Sequence, residues 1–391
     1  MFDKILIANR GEIACRIIRS CHKMGIRTVA VYSDADARAL HVQLADEACR
    51  IGESPPSESY LRIDNLLEAA KKHGAQAIHP GYGFLSENAE FAWKCMNVGI
   101  VFIGPSVEVI KQMGAKDQAK HLMENAGVPV VTGYKGDEQS PEFLYAEAQK
   151  VGYPLMIKAV LGGGGKGMRV VRKHQDFPEA LESACSEARN AFGDDRVLLE
   201  SFISGARHIE FQIFGDEHGN VIHLFERDCS LQRRHQKIIE ESPSPFLDDE
   251  LRSSMALAAV AAAKAVKYTG AGTVEFIVGD DKGFFFMEMN TRLQVEHPVT
   301  EMITGLDLVE WQILVAAGEK LPLTQHEVLQ KGHAIEARIY AENPATGFLP
   351  SIGTLHRLAF PGLNQDNASD RSTIRIDTGV EEGGEISIHY D

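Results

Sequence analysis

Positive charge is the first thing in short supply. The 391 residues carry 40 Lys and Arg against 55 Asp and Glu, a formal net charge of −15. A surface that negative repels phosphate backbones and anionic lipids unless a local patch overrides it, so nucleic acid is excluded as the main partner. Long apolar runs are missing too. The longest, such as the Ala-rich stretch from Met255 to Val266, carry polar interruptions and fall short of the ~20 residues that span a bilayer. No membrane span is expected. The six cysteines, at positions 15, 21, 49, 95, 185 and 229, form no CxxC pair and no Cys/His cluster. Zinc is therefore not indicated, and a reducing compartment fits. Met1 runs directly into strand-like Lys4-Ile5-Leu6-Ile7-Ala8. With no charged or apolar leader segment ahead of it, the sequence predicts cytoplasmic synthesis or a leader already removed.

What is there is ordinary globular material: 44% hydrophobic and 24% charged residues. At about 150 residues per domain the chain makes two to three domains, each able to bury a core. The first hundred residues alternate short apolar strands with helical patterns, the form of a parallel sheet covered by helices. Strands are predicted at 4–8, 28–32, 77–79 and 101–103, with a helix over 12–23, giving a Rossmann-like N-terminal domain. Its first turn, Asn9-Arg10-Gly11-Glu12, lacks the GxGxxG that approaches a pyrophosphate, so dinucleotide binding is not supported. A helix over 115–126 leads to a strand over 153–160, the run Gly162-Gly163-Gly164-Gly165-Lys166-Gly167 and a second strand over 168–171. Strand, loop and strand is the wrong context for a Rossmann turn, and Gly167 after Lys166 fails the Walker A pattern. A glycine-rich hairpin tip that can lie over phosphates remains, beside the plainer reading of a surface turn. Beyond it, strands over 208–214, 221–226, 273–278 and 284–290, with a helix over 248–267, predict an antiparallel α+β body. Residues 365–371 are polar enough for a loop.

Several residues point to phosphate and metal chemistry. Lys158 stands inside the apolar strand Leu155-Met156-Ile157-Lys158-Ala159-Val160, and a lysine seldom sits there without an anionic partner. Lys116, opening its helix, is weaker because most such lysines are solvated. If Gly279-Asp280-Asp281-Lys282-Gly283 turns a hairpin, Glu275 falls opposite Glu288, and like charges there destabilise the ladder unless a cation lies between them. Continued in steps of two, an extended chain lines up Glu288, Asn290, Arg292, Gln294 and Glu296 on one face. The basic cluster Arg227, Arg233, Arg234, His235 and Lys237 suits a small anion such as phosphate or bicarbonate. Salt bridges to Asp228, Glu240 and Glu241 are the plainer reading of the same cluster.

These stretches together resemble the biotin carboxylase component of biotin-dependent carboxylases, a branch of the ATP-grasp enzymes, over nearly the whole chain. The matching residues are Ile7 to Ala14, His79 to Asn88, Gly162 to Met168, Glu226 to Lys237 and Glu288 to Thr300. The resemblance implies an ATP-grasp domain with a glycine-rich lid after the Rossmann-like domain, then a partial C-terminal subdomain. The expected boundaries are 1–113, 114–203 (linker helix and lid), 204–330 (body) and 331–391. It implies an ATP-dependent ligase in which ATP phosphorylates bicarbonate and the carboxyphosphate delivers its carboxyl group to N1′ of biotin. Carried over residue by residue, Lys116, Lys158, His208, Gln232 and His235 would contact ATP, with Glu200 at the adenine end and Gly163, Gly164 and Gly165 in the lid. Glu275, Glu288 and Asn290 would hold magnesium or manganese. Lys237, Arg292, Gln294 and the Val295 backbone would bind bicarbonate, and Glu296 would deprotonate it. Arg338 would stabilise the enolate oxygen on biotin with Tyr82 nearby, although by sequence alone Arg338 equally suits an ion pair with Glu336 or Glu342.

Family members continue past the segment matching Ile386 to Asp391, so the chain is expected to stop inside that subdomain. No Met-Lys-Met biotin-attachment sequence occurs, so biotin is expected on a separate carrier domain or protein. A carboxyltransferase partner and a homodimer or larger complex are implied, most like an acyl-CoA carboxylase α subunit, in a bacterial cytoplasm or mitochondrial matrix. A carboxylate–amine ligase and a non-catalytic nucleotide-binding subunit are the competing readings. The first has no use for Arg338 or Tyr82, the second none for Glu296 or Lys237.

Overall fold

A computed structural model describes residues 1–161, 167–234, 236–360 and 374–390. The lid glycines 163–165, His235 and the 365–371 loop lie outside the described residues. Two compact units emerge.

The first unit takes Met1–Gly104, Val309–Ala317 and the described residues from Ile339 onward. Strands β1 (Lys4–Ile7), β2 (Arg27–Ser33), β3 (Glu47–Gly52), β4 (Ala77–His79) and β5 (Val101–Phe102) form a sheet in the order β3-β2-β1-β4-β5. Every pairing in it is parallel. Ile5, Leu6 and Ile7 are all fully buried, as a continuous apolar strand must be when both sheet faces are covered. Helix α1 (Gly11–Lys23) buries Ile13, Ala14, Ile17, Ile18 and Cys21, one stripe at helical spacing. Helices α2 (Leu40–Leu44), α3 (Ile63–His73) and α4 (Ala89–Asn97) follow. Asn88 caps α4 by accepting from Phe91 N at 2.8 Å, and Gly74 ends α3 at φ 65°, a left-handed turn that glycine takes without strain.

The second unit takes Pro105–Leu308 and Gly318–Arg338. Helices α5 (Val107–Gly114) and α6 (Lys116–Asn125) lead into β6 (Gly133–Tyr134), α7 (Pro141–Val151), β7 (Leu155–Ala159), β8 (Met168–Val171), α8 (Phe177–Phe192) and β9 (Val197–Ser201). Strands β6-β9-β7-β8 make an antiparallel sheet, with Leu144 and Ala148 of α7 and Phe177, Leu181 and Ala184 of α8 filling its core. The body carries β10 (Arg207–Gly215), β11 (Val221–Arg233), β12 (Gln236–Ser242), α9 (Asp249–Ala265), β13 (Gly270–Val278), β14 (Phe284–Asn290), α10 (His297–Thr304) and β15 (Ala334–Ala337). Helix α11 (Leu308–Ala316) joins the first unit almost entirely.

The six body strands pair antiparallel in the order β14-β13-β10-β11-β12-β15. One face is apolar: Ile209, Phe211 and Ile213 on β10 and Val274, Phe276 and Val278 on β13 pack with Met255 and Ala259 of α9 and Met123 of α6. Strict alternation then sends His208, Glu210, Gln212 and Glu275 to the opposite face. That polar face holds the candidate site, and it is not a solvated one, since Glu210 and Gln212 are fully buried.

Two expectations change in detail. Strand β11 runs on to Arg233 rather than stopping at residue 226, so the described members of the basic cluster, Arg227, Arg233, Arg234 and Lys237, lie on or beside the β11–β12 strand pair. The extended run after β14 stops at Asn290, and Glu296 becomes the residue before α10 at φ −77°, ψ 11°. Pro298, in the first turn of α10, fits a helix start. Gln294 and Glu296 therefore come inward through a turn and not by strand alternation.

Candidate active site

The sheet register assembles the site. Glu210 lies opposite Arg227 on one side and Glu275 on the other, and Glu275 lies opposite Glu288. One row across four strands thus reads Arg227, Glu210, Glu275, Glu288. Three carboxylates in neighbouring ladder positions repel one another, so the row folds only if cations offset them.

Lys237 is the central cation. Its Nζ lies 2.5 Å from Glu210 Oε2, 2.9 Å from Glu275 Oε1 and 2.7 Å from Glu296 Oε1. Burial would push the Lys237 amine down, but the three carboxylates outweigh it and hold it well above the usual lysine range. Arg227, fully buried, offsets the other end of the row. It donates to Glu210 Oε1 at 2.6 Å, Gln212 Oε1 at 2.8 Å, Thr300 Oγ1 at 2.9 Å, Thr273 Oγ1 at 3.2 Å and Gln294 Oε1 at 2.7 Å. With its donors spent on the protein, Arg227 is a strut. It does not serve the anion that the basic cluster suggested, and its carboxylate partner is Glu210 rather than its sequence neighbours.

Glu296 is 2% exposed. Its Oε2 lies 2.9 Å from Arg338 Nη2. Burial would raise its pKa, but Lys237, Arg338 and Arg227 hold the carboxyl well below the usual carboxylate range. Glu275 is likewise held well below it, against burial, by Lys237 and His208. His208 Nε2 approaches Glu275 Oε2 at 2.7 Å, while Gln232 Nε2 sits 2.8 Å from His208 Nδ1. Asn290 Nδ2 and Gln294 Nε2 donate to Glu275 Oε1 at 2.7 and 3.0 Å. Arg292 reaches back to Asn290 Oδ1 at 3.2 Å, and Val295 is half-buried beside Gln294.

Glu275, Glu288 and Asn290 offer carboxylate and amide oxygens from adjacent strands. Hard oxygen donors with a directly opposed carboxylate pair fit a divalent cation such as magnesium.

A second cluster gathers on the smaller sheet. Met156 pairs with Glu200, so Lys158, two residues on, shares that face. Lys158 Nζ lies 2.5 Å from Glu200 Oε2, and Lys120, buried, pairs with the other oxygen. Lys116 lies 3.7 Å from Glu288 Oε2, which links this cluster to the body row. Tyr82 belongs to the first unit. Its hydroxyl bonds to Glu12, and its backbone carbonyl accepts from Asn9 Nδ2 at 2.7 Å.

Sequence reasoning missed Lys120, Glu210 and Glu240 as members of these clusters. The spacing from Lys116 to Lys120 puts both on one helix face, a signal that was available. Glu210 is a single acidic letter in a strand and Glu240 one of an adjacent acidic pair, and sequence does not separate either from solvated ones.

Comparison with known proteins places the chain in a family. Three family models match: "Biotin carboxylase, N-terminal domain" over residues 1–110, "Carbamoyl-phosphate synthase L chain, ATP binding domain" over 115–324, and "Biotin carboxylase C-terminal domain" over 336–391. The mitochondrial methylcrotonoyl-CoA carboxylase subunit alpha of Mus musculus is 59% identical over 388 residues, 99% of this chain and 53% of that protein. The chain thus spans about half the length of that relative. A biotin carboxylase from Halalkalibacterium halodurans is 54% identical over 394 residues, 100% of this chain and 84% of its own. Among solved structures, a biotin carboxylase–beta-gamma-ATP complex from Campylobacter jejuni superposes with TM-score 0.95 at 47% identity, covering 100% of this chain and 85% of that one. The biotin carboxylase domain dimer of Hydrogenobacter thermophilus 2-oxoglutarate carboxylase, solved with MgADP, ADP and bicarbonate, gives TM-score 0.93 at 48% identity, covering 100% of this chain and 84% of that one.

Proposed function

The chain belongs to the biotin carboxylase family, and from that premise we propose that it catalyses ATP-dependent carboxylation of biotin at N1′ with bicarbonate, through carboxyphosphate. The observation that carries the reading is Glu296, a buried carboxylate held ionised between Lys237 and Arg338.

Lys116, Lys158, His208 and Gln232 contact ATP and Glu200 meets the adenine end; the family resemblance assigns His235 and the lid glycines Gly163, Gly164 and Gly165, which lie outside the described residues, to ATP as well. Glu275, Glu288 and Asn290 hold magnesium or manganese, which when bound neutralises phosphate oxygens. Lys237, Arg292, Gln294 and the Val295 backbone bind bicarbonate. The anion takes over the Lys237 contact that Glu296 holds, and the loosened Glu296 becomes basic enough to accept the bicarbonate proton. The bicarbonate oxygen then attacks the γ-phosphorus and ADP leaves. Arg338 donates to the oxygen that becomes negative on the biotin ureido group as N1′ gives its proton to the departing phosphate and takes the carboxyl group, because a guanidinium stays charged and planar as that charge grows. Tyr82 is assigned to biotin as well.

The domain boundaries 1–113, 114–203, 204–330 and 331–391 are part of the proposal. So are the partners: a biotin carrier domain or protein, a carboxyltransferase subunit and a homodimer or larger complex, as in acyl-CoA carboxylases. Relatives are mitochondrial or bacterial, and no helix among the described residues is long and apolar enough to cross a membrane. A mitochondrial matrix or bacterial cytoplasm is the compartment we assign.

The test is ADP release from magnesium-ATP with and without bicarbonate and free biotin. Release should require bicarbonate, rise with biotin, and fall by about a hundredfold or more in Glu296→Ala, with Lys158→Ala also inactive. Release indifferent to bicarbonate, or undiminished in Glu296→Ala, overturns the reading.

A further inference from the structure

One fully buried carboxylate beside this site has no part in holding nucleotide, metal or bicarbonate. Glu240, on β12, is 0% exposed. Pairing of β12 with β15 sets Glu240 opposite Glu336. Arg338 follows two residues later, its backbone amide donating to Ile238 O at 3.0 Å. Alternation returns Arg338 to the face of Glu240. The Arg338 Nε donates to Glu240 Oε1 at 2.7 Å, and Nη2 lies 2.6 Å from the same oxygen. That Nη2 is also the nitrogen 2.9 Å from Glu296 Oε2. Arg338 therefore bridges two buried carboxylates, one of them the proposed base. Burial pushes the Glu240 carboxyl up to about 7, against the pull of Arg338.

A bridging guanidinium has a geometric problem. If Nη2 exchanges Glu296 for a biotin oxygen, the guanidinium needs a hold that the exchange leaves in place. Glu240 Oε1 holds both Nε and Nη2, so that edge of the guanidinium stays in place while Nη2 gives up Glu296, and charge-assisted bonds of this kind fix orientation as well as adding energy.

We propose that Glu240 is the positioning residue of Arg338, anchoring its Nε edge so that Nη2 pivots from Glu296 to the developing biotin oxygen. The inference rests on the role assigned to Arg338 above. Glu240 touches no substrate. It acts through the arginine, and its loss falls mainly on the biotin half of the reaction.

The experiment measures ADP release by the unsubstituted chain, Glu240→Gln, Glu240→Asp, Arg338→Gln and the double variant Glu240→Gln/Arg338→Gln, with saturating magnesium-ATP and bicarbonate and titrated free biotin. Glu240→Gln should lower the biotin-stimulated increment by about ten- to a hundredfold, the scale of a misplaced catalytic group. Biotin-independent release should fall by a clearly smaller factor, and Glu240→Asp should recover part of the increment. In the Arg338→Gln background, Glu240→Gln should add less than about twofold, because residues acting as one unit are not additive. A parallel fall in both activities, or full additivity with Arg338→Gln, overturns the proposal. No biotin stimulation in the unsubstituted chain overturns the functional reading and this proposal with it. Should Glu240→Gln lack a cooperative thermal transition, Glu240→Asp alone and over Arg338→Gln makes the same comparison.

Discussion

At the scale of single residues, the site shows how little a cation's letter says about its task. Arg227 and Lys237 stand ten positions apart in one basic stretch and both reach Glu210. Arg227 spends its donors on five protein acceptors, whereas Lys237 holds only carboxylates and keeps 13% of its side chain exposed. Replacing Arg227 by Met should therefore destabilise the fold by about 3–5 kcal/mol, because the buried Glu210 loses one of its two cations and four buried acceptors lose their donor. Urea unfolding monitored by far-UV circular dichroism reads this directly, and a loss under about 1 kcal/mol would contradict the strut. Lys158, Glu275 and Glu288 were legible as candidates because each broke a local rule, a charge in an apolar strand or a like-charged pair in a ladder, whereas Lys237 stood out only within a basic cluster and Glu296 only on an assumed extended run. Glu210 and Glu240 were not, since their strands break no rule until the register of β10 and of β12 with β15 is known.

At the scale of elements, the β13–β14 hairpin was the most legible part. Its glycine-bounded turn closes with Gly279 N to Gly283 O at 2.8 Å, and Lys282 takes φ 64° there. The length of that turn fixes Glu275 opposite Glu288, despite a bulge after Glu275. The stretch beyond Asn290 was misjudged because a period of two says nothing about where a strand ends, and the start of α10 ends this one. Since Glu288 is the more exposed of the pair, at 39% of its side chain against 5%, Glu288→Gln should fold normally. A tenfold weaker hold on magnesium-ADP removes about 1.4 kcal/mol of ligand-induced stabilisation, so thermal melts with magnesium-ADP should show a smaller gain than the parent chain. An equal gain would remove Glu288 from the metal set. Helix α2 carries a different prediction. His41 is fully buried, its Nε2 3.2 Å from Val31 O, and burial pushes it down to about 4 from an ordinary 6.5, against the pull of Asp36. The folded state thus binds fewer protons than the unfolded one between pH 6.5 and 4. Stability is fully present above 6.5 and is lost as pH falls, by about 2 kcal/mol at pH 5. His41→Asn should flatten the stability difference between pH 7 and pH 5 by that amount in parallel denaturant titrations, and an unchanged difference would mean the imidazole is not the group responsible.

At the scale of the whole molecule, the two compact units carry different reporters and different proposed ligands. Both tryptophans, Trp93 at 53% and Trp311 at 4% exposure, fall in the first unit. The described residues assigned to nucleotide and metal, from Lys116 to Asn290, fall in the second. Each unit has its own core, as the all-parallel sheet of one and the antiparallel sheets of the other already require, and a ligand stabilises the unit that binds it. Magnesium-ADP at about a hundred times its dissociation constant adds about 2.7 kcal/mol to that unit. The far-UV circular dichroism transition should therefore move to higher temperature while buried Trp311, read by its emission, moves less. If both signals shift together and by the same amount, the units unfold as one cooperative body and the division of labour read from their cores fails. If only tryptophan emission shifts, the nucleotide sits in the first unit, and the assignment of Lys158, Glu200 and the β13–β14 pair to ATP and magnesium falls with it.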